Sequence, residues 1–423
     1  IENIVLTDDS TLTFSISWDN SWRNVHAPGN HDAVWLFIKR KGCASLKWEH
    51  TDLSADMNDH IGSGMLEIYV DGKDQGTNAK GVFIRRKSHG SGNIVNQTLS
   101  IRLSGVANGE FDFKIFGIEM VQIPEGQFYL GDGGGETYSF RHGSTTVPYL
   151  VTSESVTVSS SNGLYTVGSA SQQSALGVKA LPVSYPKGFK EIYCMKYEIS
   201  QQQYVDFINC LMPDQAQARY VAYDLNRINV AGSWPEVTTK FPHRAMGYMS
   251  WQDLVAYLDW SCLRPMSELE FEKICRGPVD AVVREYAWGT NSITNATDPL
   301  NDETPYESSG TTILTGTGIA RSGSLAPLGP FRCGFAAKPT TDRLSSGATY
   351  YGVMEMSGNI GEMVVNSISA ATNIFNGSVG DGELSSSPTP GNADVATWPS
   401  VATGSVGTGV RGGTYASVAS GVP

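Results

Sequence analysis

The chain has 423 residues, with 30 Lys+Arg against 42 Asp+Glu for a formal net charge of −12, and it contains 46 Gly and 19 Pro. Phosphate neutralisation needs clustered Lys and Arg, so this balance argues against a nucleic-acid partner. Aromatics at 10% with only 17% charged residues exclude a disordered chain, and no apolar run approaches the ~20 residues of a membrane-spanning helix.

A chain of this length predicts two domains with a sizeable core. It opens at Ile1 with neither Met nor a charged-then-apolar leader. That is the expectation for a chain processed after export, and hence secreted or on the cell surface. Cys43, Cys194, Cys210, Cys262, Cys275 and Cys333 form no CxxC pair, and the seven histidines form no HxxxH or HExxH. The cysteines therefore read as structural, free or bridged, and a His-ligated metal is not expected.

Residues 1–118 read as strands of an antiparallel β-sandwich. Phe14, Ile16 and Trp18 alternate with Ser15 and Ser17, the period of a half-buried strand. Ala33–Arg40 is apolar on both faces, as in a strand covered on each side. Met65–Val70 leads into Asp71-Gly72, a hairpin-type turn. Gly81–Arg86 and Thr98–Leu103 follow at sandwich spacing, and Asn108-Gly109 turns into the alternating Phe111–Phe116. Arg85-Arg86-Lys87 reads as a solvated strand edge.

From 119 to 423 the texture is loop-rich α+β. Met120–Gly131 is a strand broken by Pro124-Glu125-Gly126, and residues 133–190 read as loops and short hairpins. Three helices follow. Ser200 with Gln203 caps the first, which ends before Pro213; Ser250 with Asp253 caps the second; Ser267 with Glu270 caps the third, which Gly277-Pro278 ends. Glu268, Glu270 and Glu272 on that helix read as capping and structural groups. Beyond 278 almost no helix is expected, with Trp288, Tyr350, Tyr351, Met354 and Met356 as anchors for long loops. Asn96-Gln-Thr98 and Asn295-Ala-Thr297 fit the N-glycosylation pattern, and His243 reads as a loop-packing residue.

Several stretches of the second region, in order, resemble the sulfatase-modifying-factor family, the formylglycine-generating enzymes and their relatives. They are Met120–Gly131, Tyr197-Glu-Ile-Ser200, Ser250–Tyr257 with Trp260, Arg264–Glu272, Tyr286-Ala-Trp-Gly289, Gly352–Glu362 and Arg411-Gly-Gly413. The resemblance implies a C-type-lectin-like fold over residues 119–423. Its combination with a β-sandwich resembles exported proteins of Bacteroidetes. The family's closing strands normally run on past Arg-Gly-Gly, so the resemblance also implies a C-terminus that is truncated or supplied from elsewhere.

In that family two cysteines shortly after Arg-Gly-Gly bind copper and activate oxygen. Here Ser417 and Val422 stand at those positions, and a serine cannot replace a copper thiolate. The resemblance therefore implies a chain without formylglycine chemistry, with no catalytic residue and neither copper nor iron. It also implies a calcium site at the Gly-Asn loop, made by Glu355, the carbonyls of Gly358 and Ile360, and Glu362. Two carboxylates with carbonyls suit a hard cation; bonding to loop amides and to Asn359 is the alternative. The family's Trp-Glu-Trp has become Gly361-Glu362-Met363.

Three functions compete. One is a non-catalytic binding or structural protein that presents loops to a protein or glycan ligand. Another is an oxygen-dependent oxidoreductase with a different metal site. The third is a subunit that self-assembles into a homo-oligomer, filament or surface layer.

Overall fold

The alternating segments of the first hundred residues become two stacked antiparallel sheets. The computed structural model describes residues 1–71, 78–106, 109–136, 139–166, 181–324, 327–367, 374–399 and 407–421. Gly72 and Asn108, each half of an expected turn, lie outside the described residues, as does Val422.

The main strands are β1 (Glu2–Asp8), β2 (Thr11–Arg23), β3 (Asp32–Gly42), β4 (Glu49–Thr51), β5 (Leu66–Tyr69), β6 (Val82–Arg86), β7 (Gly90–Arg102), β8 (Phe111–Ile123) and β9 (Ile192–Met195). The first sheet has the order β1-β2-β7, and the second β9-β8-β3-β6-β5 with β4 also on β3. Phe14, Ile16 and Trp18 of β2 and Leu99 and Ile101 of β7 meet Val34, Leu36 and Ile38 of β3 in one apolar layer. The opposite face of β3 is also covered. Ala33, Trp35 and Phe37 belong to a second core shared with the downstream helices, where the Phe37 and Trp260 rings meet edge-on at 5.1 Å. A strand buried on both faces must be apolar at every position, which is why Ala33–Arg40 lacks alternation.

Phe111–Phe116 and the opening of Met120–Gly131, expected as separate strands, are one strand. β8 runs through residues 118 and 119, pairing with β3 from Phe111 to Val121 and with β9 from Met120 to Ile123. The Arg85-Arg86-Lys87 run is not a solvated edge. Arg85 is bound to Glu67 at 2.8 Å, and Arg86 is buried and donates to Ser21 and to the Gly92 carbonyl.

Downstream, α1 (Gln201–Ile208), α3 (Trp251–Trp260) and α4 (Glu268–Arg276) begin at Ser200, Ser250 and Ser267, each with its reciprocal capping box. The sequence reading missed α2 (Pro213–Arg219). Pro213 lies past the end of α1, as expected, and also opens a new helix, where its missing N–H costs nothing. A single turn, α5 (Arg343–Ser346), is the one α-helix past 278 among the described residues. The long loops are held by their anchors: Trp288, Tyr351, Met354 and Met356 are buried. The strands β10 (Glu362–Val365) and β11 (Thr408–Arg411) pair antiparallel. The whole is mainly β, with few helices in the C-terminal region. No helix among the described residues is long and apolar enough to cross a membrane.

The caps give a direct check. Ser250→Ala and Ser267→Ala should each lower stability by about 0.5–2 kcal/mol, read as a lower urea midpoint at unchanged slope. Two unshifted midpoints would mean that neither cap stabilises its helix.

Candidate carboxylate loop, acidic cluster and central cavity

The Gly-Asn loop is built on unusual backbone. Glu355 and Asn359 have φ of 57° and 59°, a region where a non-Gly residue is held only by strong local bonding. Gly358 is obligatory here, since at φ 89° an added Cβ would lie 2.7 Å from the Arg321 carbonyl oxygen. The Asn359 side chain accepts from Phe331 N at 2.8 Å and donates to Glu198 at 2.5 Å. Ile360 N donates to the other Glu198 oxygen at 2.7 Å.

Both oxygens of Glu355 accept from Gly334 N at 3.0 Å. An added Cβ at Gly334 would lie 2.5 Å from the Tyr197 ring, so only glycine brings that amide into place. Glu362 is different, because both its carboxylate oxygens are shut away from solvent with no hydrogen-bond partner.

Glu198, which the sequence reading did not single out, therefore joins Glu355 and Glu362 in one electrostatic group. Burial, and then the charges of Glu355 and Glu362, push Glu198 well above the usual carboxylate range. Burial pushes Glu355 up to about 7, against the pull of the Gly334 amide. Glu362 is raised by burial, with Glu355 adding to it. The signal for Glu198 lay in Tyr197-Glu-Ile-Ser200, an acidic residue in an otherwise cap-and-core segment.

A cavity of about 950 Å³ lies against this group, lined by Glu198 and Glu362, by β9, by Leu254 and Leu258 of α3 and by Glu270 and Ile274 of α4. Every residue of β9, the edge strand of the second sheet, is partly exposed, and all four border the cavity. Trp35 and Phe83 of the N-terminal sheet also border it.

Among the described residues, the group of acidic, His or Cys side chains able to hold a metal ion is Asp259, Asp381 and Asp394, whose ligand oxygens lie within 4.8 Å of one another. These three could hold a cation such as calcium. Asp259 is buried at the end of α3 and accepts from Asp381 N at 3.1 Å and Asp394 N at 3.0 Å. Burial lifts its pKa to about 7; those two amides hold it back, while the neighbouring carboxylates raise it further. The sequence signal was an aspartate on the buried stripe of α3, four residues past Val255.

The Arg-Gly-Gly stretch is structural at its first residue. Arg411 binds Glu268 at 3.1 Å and also Glu272, while Glu270 binds Arg264 at 2.6 and 2.8 Å. The three glutamates of α4 are thus ion-paired, and Glu270 also completes the capping box, in keeping with the structural role expected of them. After Gly413, the Ser417 hydroxyl accepts from Thr414 N at 2.9 Å. All six cysteines are free, and none joins a metal-ligand group among the described residues.

Residues 116–421 match a family model described as the sulfatase-modifying factor enzyme 1-like domain. A search of curated proteins found no match to the chain.

Proposed function

Because the chain belongs to the sulfatase-modifying factor enzyme 1-like family across residues 116–421, we propose that it keeps that scaffold for binding and not for oxidation. In this reading it acts outside the cell or at its surface, and its C-terminal loops present a protein or glycan ligand site. One observation carries the proposal: the positions where the family's copper-binding cysteines are expected hold Ser417 and Val422. A hydroxyl is a hard, weakly acidic donor and does not hold Cu(I) as a thiolate does. The residues present do not fit a copper-thiolate centre.

The test is direct. Protein incubated with Cu(I), oxygen and a sulfatase-type cysteine peptide should leave the peptide unchanged by mass spectrometry. Loss of the thiol with gain of an aldehyde would overturn the reading and restore the oxidoreductase alternative.

Calcium is part of the same proposal. The Asp259, Asp381 and Asp394 carboxylates supply its hard oxygens. The set of Glu355, the Gly358 and Ile360 carbonyls and Glu362 is supported by the two unpartnered oxygens of Glu362. A bound ion stabilises by mass action, about 2.7 kcal/mol at a hundredfold excess over the dissociation constant.

The raised Asp259 pKa fixes the sign. The folded state holds that proton more tightly than the unfolded chain, so without metal stability falls as pH rises from about 4 to about 7. Calcium should reverse that fall, and a chelator should lower the melting temperature more at pH 7.5 than at pH 5. Loss of the calcium effect in Asp381→Asn assigns the ion to the acidic cluster, and loss in Glu362→Gln assigns it to the loop. Identical melting with calcium and with chelator would reject both.

Assembly is a second reading with its own observation. β1 is an edge strand exposed along its whole length, with Val5 at 55% and Leu6 at 48% exposure. An unpaired apolar edge is a template for pairing with a second chain.

A further inference from the structure

The central cavity has a lining unlike the rest of the molecule. Of the chain's 11 methionines, all but Met57, Met65 and Met212 border it. Methionine is unbranched, flexible and polarisable, so a wall of thioethers adapts to a guest without a fixed shape. A volume of about 950 Å³ is at the upper end for sites that enclose drug-sized molecules.

The polar part of the lining is one-sided. Six carboxylates face three cations, Lys80, Lys190 and Arg264. Arg264 is bound to Glu270 and Lys80 to Asp52. No guanidinium compensates Glu362: Arg411, whose charge reaches it, is bound to Glu268 and Glu272. Glu198 is served only by neutral donors, the Asn359 amide and Ile360 N. Aromatic rings of Trp35, Phe83, Tyr193 and Tyr197 also line the space, and such faces attract organic cations.

We propose that this cavity is a binding site for an apolar organic cation, an amine or quaternary ammonium on a flexible hydrocarbon body, which packs on the methionines and aromatic rings while the excess of carboxylates in and just behind the wall, Glu198 and Glu362 among them, favours a positive charge. Apolar area supplies most of the affinity, and the carboxylates select the sign of the charge. The proposal does not depend on whether the chain oxidises anything.

Calorimetric titration with decyltrimethylammonium, below its micellar concentration, should give saturable one-to-one binding. Decanoate, with the same chain and the opposite charge, should bind at least ~10-fold more weakly, equivalent to about 1.4 kcal/mol. Glu362→Gln should lower the affinity for the cation by ~10-fold while leaving that for neutral decanol unchanged. Glu198→Gln should act in the same direction, and it carries the test if Glu362→Gln melts early. No binding of the cation, equal binding of decanoate, or full cation affinity in folded variants would overturn the proposal.

Discussion

Arg411→Ala is expected to cost about 3–5 kcal/mol, the effect of removing one partner from a buried ion pair and leaving the other uncompensated. Arg411 ties β11 to α4 through Glu268 and Glu272, whose side chains are 17% and 8% exposed. Its guanidinium also lies 4.9 Å from the Phe271 ring centre, so alanine loses packing as well as charge. Arg411→Lys keeps the charge but not the fork that reaches two carboxylates, and should fall between the two.

The same contact predicts acid behaviour. Burial alone would raise Glu272, but Arg411 and Arg276 hold it down at about 2. Its folded pKa lies below the unfolded value of about 4.3. Its contribution is therefore complete above that value and is lost as pH falls through about 2. Urea unfolding at pH 7 and pH 3 measures both effects. In Arg411→Ala the loss in acid should be smaller and complete at a higher pH, because only the folded value rises. A parent-like midpoint for the variant at pH 7 would show that this ion pair does not hold the strand to the helix.

What the sequence disclosed depended on how local the physics was. The three capping boxes need only a serine and its partner three residues on, and all three helices start where those residues stand. Period-two strands and the doubly buried β3 are equally local. α2 was missed because a proline after an apolar helix looks like a stop signal, whereas here the stop and the next start are adjacent. Arg86 was misjudged because its partners, Ser21 and the Gly92 carbonyl, come from other strands.

The candidate sites show the same division. Glu355 and Glu362 lie in one loop of the sequence, but Glu198 reaches that loop across 161 residues of chain through Asn359. Asp259 meets Asp381 and Asp394 across 122 and 135 residues. The methionine wall could not be read at all, since its residues share no period and are gathered only by the tertiary fold.

Lys196→Met is the second variant with a large expected effect, again about 3–5 kcal/mol. Lys196 follows β9 directly, and its ammonium reaches into the N-terminal sheets. It binds Glu119 at 2.9 Å and Asp32 at 3.2 Å, donates to the Asn20 carbonyl at 3.2 Å, and lies 5.0 Å from the Trp22 ring centre. Asp32 is fully buried and also accepts from Trp18 Nε1, Ser21 and Trp22 N. Those donors are neutral, so without Lys196 a buried negative charge has no counter-charge. Burial alone would lower the Lys196 pKa, but Glu119, Tyr197 and Asp32 raise it. A raised lysine stabilises fully below its unfolded value of about 10.4 and loses that contribution only at higher pH, so the cost of Lys196→Met should be constant across neutral pH. Adding Asp32→Asn removes the stranded charge, and the double variant should recover part of the loss, with a coupling of about 0.5–3 kcal/mol in a double-mutant cycle. Additive single effects would place the stabilisation in packing against Trp22. A coupling in that range would show that one ion pair joins the upstream sheets to the chain after β9, and hence that the cavity wall formed by β9 is fixed from the N-terminal side.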